Sequence, residues 1–394
     1  MNTYNFYYDE SSHSRNINEK TFYAHNYYEN FIATIIGWDS NKNELMASRF
    51  ERFSNMYKND YCKDGEFKSQ TIKTKNFEFG FASLNKHVTQ FLYDYFSLFD
   101  SDINIYVCCI SKFEYIINQL LCQYPRNNFI NTIEYTIVKT ILVYKPKELI
   151  NAILNQDYNS FIKLLKYFLM QQYKNNKKIP HKNNENKNIL SVIHFLNYIK
   201  PYTKISHTWN YKIALDGFKL YLKEKQIIDY HLFIDNEINT KESAMAVLKT
   251  ENISNCDSKQ YYQIQLADLM SGILFKLLSS INNECKYKNS GSYHSVQYFN
   301  EKWFELNKQS FLLYQKLYDI LFVYDNSYTK VYTGIYRDDL NVLKSLLMYF
   351  HSYSYEEYYD VYKKRGAKYH SKEFMKTLNQ VFREDFDITI TKAK

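Results

Sequence analysis

The stretch Tyr4-Asn5-Phe6-Tyr7-Tyr8-Asp9-Glu10-Ser11 is a short aromatic run closed by two acids and a serine. Aromatic runs bounded by turn-forming residues read as strands, so a strand is expected over residues 4–9. The run Tyr230-His231-Leu232-Phe233-Ile234 closes on Asp235 in the same way, and Asp268 sits inside Ile264-Gln265-Leu266-Ala267-Asp268-Leu269-Met270. A carboxylate in an apolar element is costly unless it is paired, hydrogen-bonded or bound to metal. Three such elements, spread over about 260 residues, suggest one shared site.

Working outward, Phe31–Trp38 and Ile103–Ile110 read as further strands, the second as one covered on both faces. Residues 44–58 carry Met46, Phe50, Phe53 and Tyr57 at helical spacing, and 84–99 is also helical in pattern. Glu66-Phe67-Lys68 begins an extended segment expected to run to Ile72. Helical patterning fills about 113–225, broken by a polar, low-complexity stretch over 174–188 that is expected to be a loop. A polar connection follows the strand at 230–235, then a helix from about 259 to 281, then a helical tail from about 296. Strands mixed with helices imply an α/β sheet core carrying a helical insertion and a helical C-terminal extension. The expected boundaries are 1–112 and 228–285 for the two parts of the core, 113–227 for a basic insertion, and 286–394 for the extension.

On a helical wheel Tyr261, Gln265, Asp268 and Gly272 share one narrow stripe of a helix that is otherwise apolar. Asp235 and Glu237 would share a side if their strand ran on that far. Asp-Asn-Glu at 235–237 and Asp-Glu-Ser-Ser at 9–12 are also ordinary turn and cap chemistry. Taken together, carboxylates from separate elements at a sheet edge form a hard oxygen site for Mg²⁺ or Mn²⁺. Asp9, Asp235 and Asp268 are the expected ligands. A divalent ion would relieve the repulsion among clustered carboxylates.

Tyr8-Asp9-Glu10-Ser11, Glu66-Phe67-Lys68, Phe233-Ile234-Asp235 and Ile264-Gln265-Leu266-Ala267-Asp268-Leu269 together resemble the domain of unknown function 3800 family. The resemblance covers roughly residues 4–112 and 228–280. It implies an RNase H-like mixed sheet core and an acidic, metal-dependent site on Asp9, Glu66, Asp235 and Asp268. Glu10 becomes a further metal ligand, with Lys68 and Gln265 in support. Lys68 would hold a scissile phosphate or pair with Glu66. One departure is Ser12, where the family pattern has Gly; Ser tolerates positive φ poorly. The family's company also implies a setting in phage defence or a mobile element.

The net charge is +8, and residues 151–225 carry +9 against −1 before them and 0 after. Such a block is either a solvated face or a polyanion-binding one. Lys174, Lys177, Lys178 and Lys182 are the candidates to hold nucleic acid. The six cysteines form no CxxC pair or zinc grouping and suit free thiols in a reducing cytosol. No signal peptide is evident, no run reaches the roughly 20 apolar residues of a membrane span, and a cytoplasmic protein is expected. Walker, dinucleotide-binding and zincin motifs are all missing. The expected activity is metal-dependent phosphodiester hydrolysis, with a non-catalytic nucleic-acid- or protein-binding module as the alternative. The insertion or the tail could also engage a protein partner or a second copy.

Overall fold

The computed structural model describes residues 3–11, 18–23, 27–200, 204–286, 298–325 and 327–391. Ser12 lies outside the described residues. The core is a six-stranded mixed sheet in the order β7-β6-β1-β2-β5-β8. Its strands are β1 (Tyr4–Ser11), β2 (Asn30–Asp39), β5 (Asn104–Ser111), β6 (Tyr230–Asp235), β7 (Ile253–Cys256) and β8 (Val331–Thr333). A separate hairpin pairs β3 (Cys62–Lys63) with β4 (Glu66–Phe67), turning through Asp64 and Gly65, both at positive φ. Strand β2 is antiparallel to β1 and to β5, whereas β1/β6, β6/β7 and β5/β8 are parallel.

Alternation along the strands divides the apolar residues between two cores. Phe6, Tyr8, Phe31, Ala33, Ile35, Tyr106, Cys108 and Ile110 face one core, and Tyr7, Ile32, Ile36, Trp38, Ile105, Val107 and Cys109 face the other. The first face is covered by the insertion: α4 (Lys112–Leu121), α5 (Asn128–Tyr144), α6 (Lys147–Leu154), α7 (Tyr158–Asn176), α8 (Asn183–Phe195) and α9 (Lys212–Glu224). Helix α10 (Ile238–Leu248) joins them from between β6 and β7. The second face takes α2 (Asn43–Tyr61), α3 (Lys86–Phe96) and α11 (Tyr262–Cys285). The tail helices α12 (Lys308–Tyr318), α13 (Asp338–His351), α14 (Tyr355–Arg365) and α15 (Ala367–Thr391) complete that core. A four-residue helix, α1 (Glu19–Phe22), precedes β2.

Helix α11 has the length and apolar character of a membrane span, which the sequence reading did not credit to any stretch. It is the core helix of this fold. Leu266, Leu269, Met270, Ile273, Leu274 and Leu277 are all at most 1% exposed, packed against β1, β2 and α13. Each such side chain contributes on the order of 2 kcal/mol by burial.

Several expectations change. The stretch 174–188 is not a loop: α7 runs to Asn176, a short turn over Pro180–Lys182 follows, and α8 begins at Asn183. Glu185 explains this, since Tyr144, Asn176 and Lys182 all donate to its carboxylate. The polar connection after β6 contains α10 and β7, and the tail is not purely helical, because β8 extends the sheet beside β5. Strands of three and four residues are too short to show a period. The segment after Glu66 leaves the extended form after Lys68, turning at Ser69–Thr71.

Candidate functional site

Strand register brings the first two acids together. β1 pairs with β6 in parallel, with Tyr7 opposite Phe233 and Tyr8 opposite Ile234. One step on, Asp9 and Asp235 are the next residues of neighbouring strands, and each has the parity of the stacked pair Tyr7 and Phe233. Both therefore face α11, at the carboxyl ends of their strands. This is also where the sheet's connections part, β1 leading to β2 on one side and β6 to β7 on the other. Open α/β sheets bind ligands outside the carboxyl ends of strands at such a switch. Each carboxylate accepts the next residue's backbone NH, from Glu10 at 2.7 Å and from Asn236 at 2.9 Å.

Asp268 comes down onto this edge from α11. Ser69 holds it twice, donating its backbone NH at 2.8 Å and its hydroxyl at 2.9 Å to the two carboxylate oxygens. Gln265, one turn earlier, accepts the NH of Phe67 at 3.0 Å and donates to the Ser258 carbonyl at 2.7 Å. The spacing of Gln265 and Asp268 now has a reason. Residues three apart on a helix face the same way, and across the extended Phe67-Lys68 stretch the NH groups of Phe67 and Ser69 also point the same way. The stripe's small residue, Gly272, lets the Ser69 turn lie against the helix. A Cβ there would fall 2.1 Å from Ser69 Cβ and 2.3 Å from its Oγ.

Glu66 is buried at the start of this segment. Its Oε2 accepts the Ser258 hydroxyl at 3.0 Å and the Lys68 ammonium at 2.5 Å. Of the two roles open to Lys68, the structure provides the pairing with Glu66. Burial pulls the Lys68 pKa down, but the bond to Glu66 and the charges of Glu66, Asp268 and Asp9 outweigh it and hold the ammonium above its ordinary value. Asp9 is pushed well above the usual carboxylate range, first by burial and then by Asp268, Glu10 and Asp235, with the Glu10 NH opposing. Behind Asp268, the buried Lys276 is lowered to about 8 by burial, with Asp268 opposing. Its ammonium donates to the Gly272 carbonyl at 3.2 Å.

Asp9, Glu66, Lys68, Asp235 and Asp268 line a cleft of about 550 Å³, together with Lys63, Asp64, Gln70, Thr71, Glu237 and Lys259. Of the acids expected at the site, Asp9, Glu66, Asp235 and Asp268 all border it, as does Glu10. Glu10 is buried and turned by alternation to the sheet face opposite Asp9, the face of Phe6 and Tyr8. Glu237 does not continue the strand; it precedes α10, where Thr240 donates to its carboxylate at 2.9 Å. None of Lys174, Lys177, Lys178 and Lys182 borders the cleft. Lys182 is moreover buried and bonded to Glu185 at 2.6 Å, so its charge serves the insertion's own packing. Sequence reasoning did not single out Ser69, Ser258, Lys63 or Lys259. Only Gly272, small beside Asp268, hinted that another segment approached there.

The donor set is all oxygen and suits Mg²⁺ or Mn²⁺, and such an ion would offset both the burial and the neighbouring carboxylates that raise Asp9. Among the described residues no three His, Cys, Asp or Glu side chains are drawn closely enough together to hold one ion. No family model, curated protein or solved structure matches this chain.

Proposed function

We propose that the protein is a metal-dependent nuclease that hydrolyses phosphodiester bonds of DNA or RNA. The observation that carries this reading is the meeting of Asp9, Asp235 and Asp268 from three separate elements in one cleft, where burial and then the neighbouring carboxylates raise Asp9. The mixed sheet, with a single antiparallel strand and acids at the carboxyl ends of adjoining parallel strands, supports an RNase H-like core and the resemblance to the domain of unknown function 3800 family. Asp9, Asp235 and Asp268 would hold Mg²⁺ or Mn²⁺, while Glu10, turned to the opposite sheet face, would add charge but no ligand atom. When bound, such an ion makes water a better nucleophile and stabilises charge on the reacting phosphate. Ser69 fixes the carboxylate of Asp268 in one orientation. Glu66 keeps Lys68 charged and in place at the cleft wall.

The test is hydrolysis of labelled single- and double-stranded DNA and RNA in Mg²⁺, Mn²⁺ or EDTA. The wild type should cleave only with a divalent ion, and Asp9→Asn and Asp268→Asn should not cleave. Cleavage undiminished in both variants would defeat the reading.

The second reading is a non-catalytic nucleic-acid- or protein-binding module on the same fold. It is favoured by the +9 charge of residues 151–225, none of which borders the cleft. It calls for nucleic-acid binding that persists in EDTA and survives loss of Asp9 and Asp268.

A further inference from the structure

The cleft is lined by two kinds of charge, unevenly placed. Asp9 and Asp235 sit at the sheet edge, with Asp268 above them. The three lysines belong to another wall, made by the β3–β4 hairpin and the loop between β7 and α11. That wall is stitched together: Ser258 donates to Glu66 at 3.0 Å, Lys68 reaches Ser258 at 3.4 Å, and Gln265 clamps Phe67 and Ser258 to α11. Lys63 stands opposite Glu66 across the hairpin, and Lys259 follows Ser258 directly. Lys63, Lys68 and Lys259 therefore share one lip of the cleft.

Lys68 is committed to Glu66. Lys63 and Lys259 are exposed and enter no ion pair among the described residues. The lining holds seven carboxyl groups against these three ammonium groups, and even with Asp9 protonated and Glu66 paired to Lys68 the acids outnumber the remaining lysines, so the cleft as it stands repels an anion. A polyanion can settle there only if the acids are neutralised while the lip remains positive.

We propose that Lys63 and Lys259 form the phosphate-holding lip of this cleft, and that a single polynucleotide strand binds it only together with divalent cations. The basic block of the insertion is not the principal nucleic-acid contact. This inference rests on the nuclease reading for its substrate class, but it concerns binding and is measured without turnover. Two ligands that each neutralise what repels the other must bind with positive coupling. Each phosphate contact adds about 0.7 to the slope of log affinity against log salt for a single strand.

The experiment is fluorescence anisotropy with labelled 12-nucleotide single-stranded DNA and RNA, phosphorothioate-linked to resist cleavage, on the wild-type full chain. It is run in EDTA, Mg²⁺ and Ca²⁺ over a range of salt. Binding should tighten at least tenfold with either ion. Lys63→Ala/Lys259→Ala should weaken it about tenfold in Mg²⁺ and lower the salt slope by about 1.4, two contacts' worth. Because both lysines are exposed, the double variant should keep the parent's unfolding midpoint. Binding equal in EDTA and Mg²⁺ overturns the proposal. So does a larger loss from Lys174→Ala/Lys177→Ala/Lys178→Ala than from the Lys63/Lys259 pair. If the lysine pair controls binding but the wild type hydrolyses nothing, the inference stands and the nuclease reading falls. If the wild type hydrolyses nucleic acid while the pair leaves affinity and slope unchanged, the reverse holds.

Discussion

Gly272→Ala tests whether the Ser69 turn is what holds Asp268. Alanine normally stabilises a helix interior over glycine by about 1 kcal/mol. Here the new methyl would lie 2.1 Å from Ser69 Cβ and 2.3 Å from its hydroxyl, well inside the 3.4–4 Å of ordinary contact. More than 1 Å must be yielded, and α11, packed on the sheet, is the less able to move. Overpacking of this kind costs about 1–3 kcal/mol. Displacing Ser69 also strips hydrogen bonds from the Asp268 carboxylate, worth about 1.5–3 kcal/mol for a charged acceptor. After the helix gain, a net loss on the order of 2–4 kcal/mol is expected. Urea unfolding at pH 7.5 measures it, alongside divalent-dependent hydrolysis, which should fall with it. Ser69→Gly removes both clashing atoms but keeps the backbone NH bond to Asp268. The double variant should therefore be more stable than the sum of the singles, by at least about 1 kcal/mol of coupling. A Gly272→Ala protein as stable as wild type, or an additive cycle, would refute the packing argument.

Three further outcomes follow from the same geometry. Asp9→Asn removes a carboxylate strained by burial and by Asp268, Glu10 and Asp235, so in EDTA at pH 8 it should unfold at higher urea, by on the order of 1 kcal/mol, although hydrolysis is lost. Burial raises Glu29 and Glu114 to about 8, so the folded state keeps protons that the unfolded chain has released. Their contribution is fully present below about pH 4.5, and unfolding free energy should decline between pH 6.5 and 8, more shallowly in Glu29→Gln; equal slopes would count against it. Lys182→Ala should cost about 1–2 kcal/mol in thermal unfolding while leaving oligonucleotide affinity unchanged, since its ammonium belongs to Glu185.

The sequence determined what depends on local pattern. Aromatic and β-branched runs specify β1, β2, β5 and β6, and helical spacing specifies α2, α3 and α11. Asp268 was legible because an apolar helix supplies no local reason for a carboxylate. Asp9 and Asp235 were legible only as strand ends that looked equally like turns. Tertiary structure decided their meaning. The parallel register of β1 and β6 sets Asp9 beside Asp235 on the face that α11 covers, and one residue of slip would have turned them away. Only the docking of an extended segment on α11 explains Gln265 and Gly272, and only packing hid Lys182 behind Glu185. Side-chain period can be read within one element, but which elements become neighbours is set by burying all of them at once.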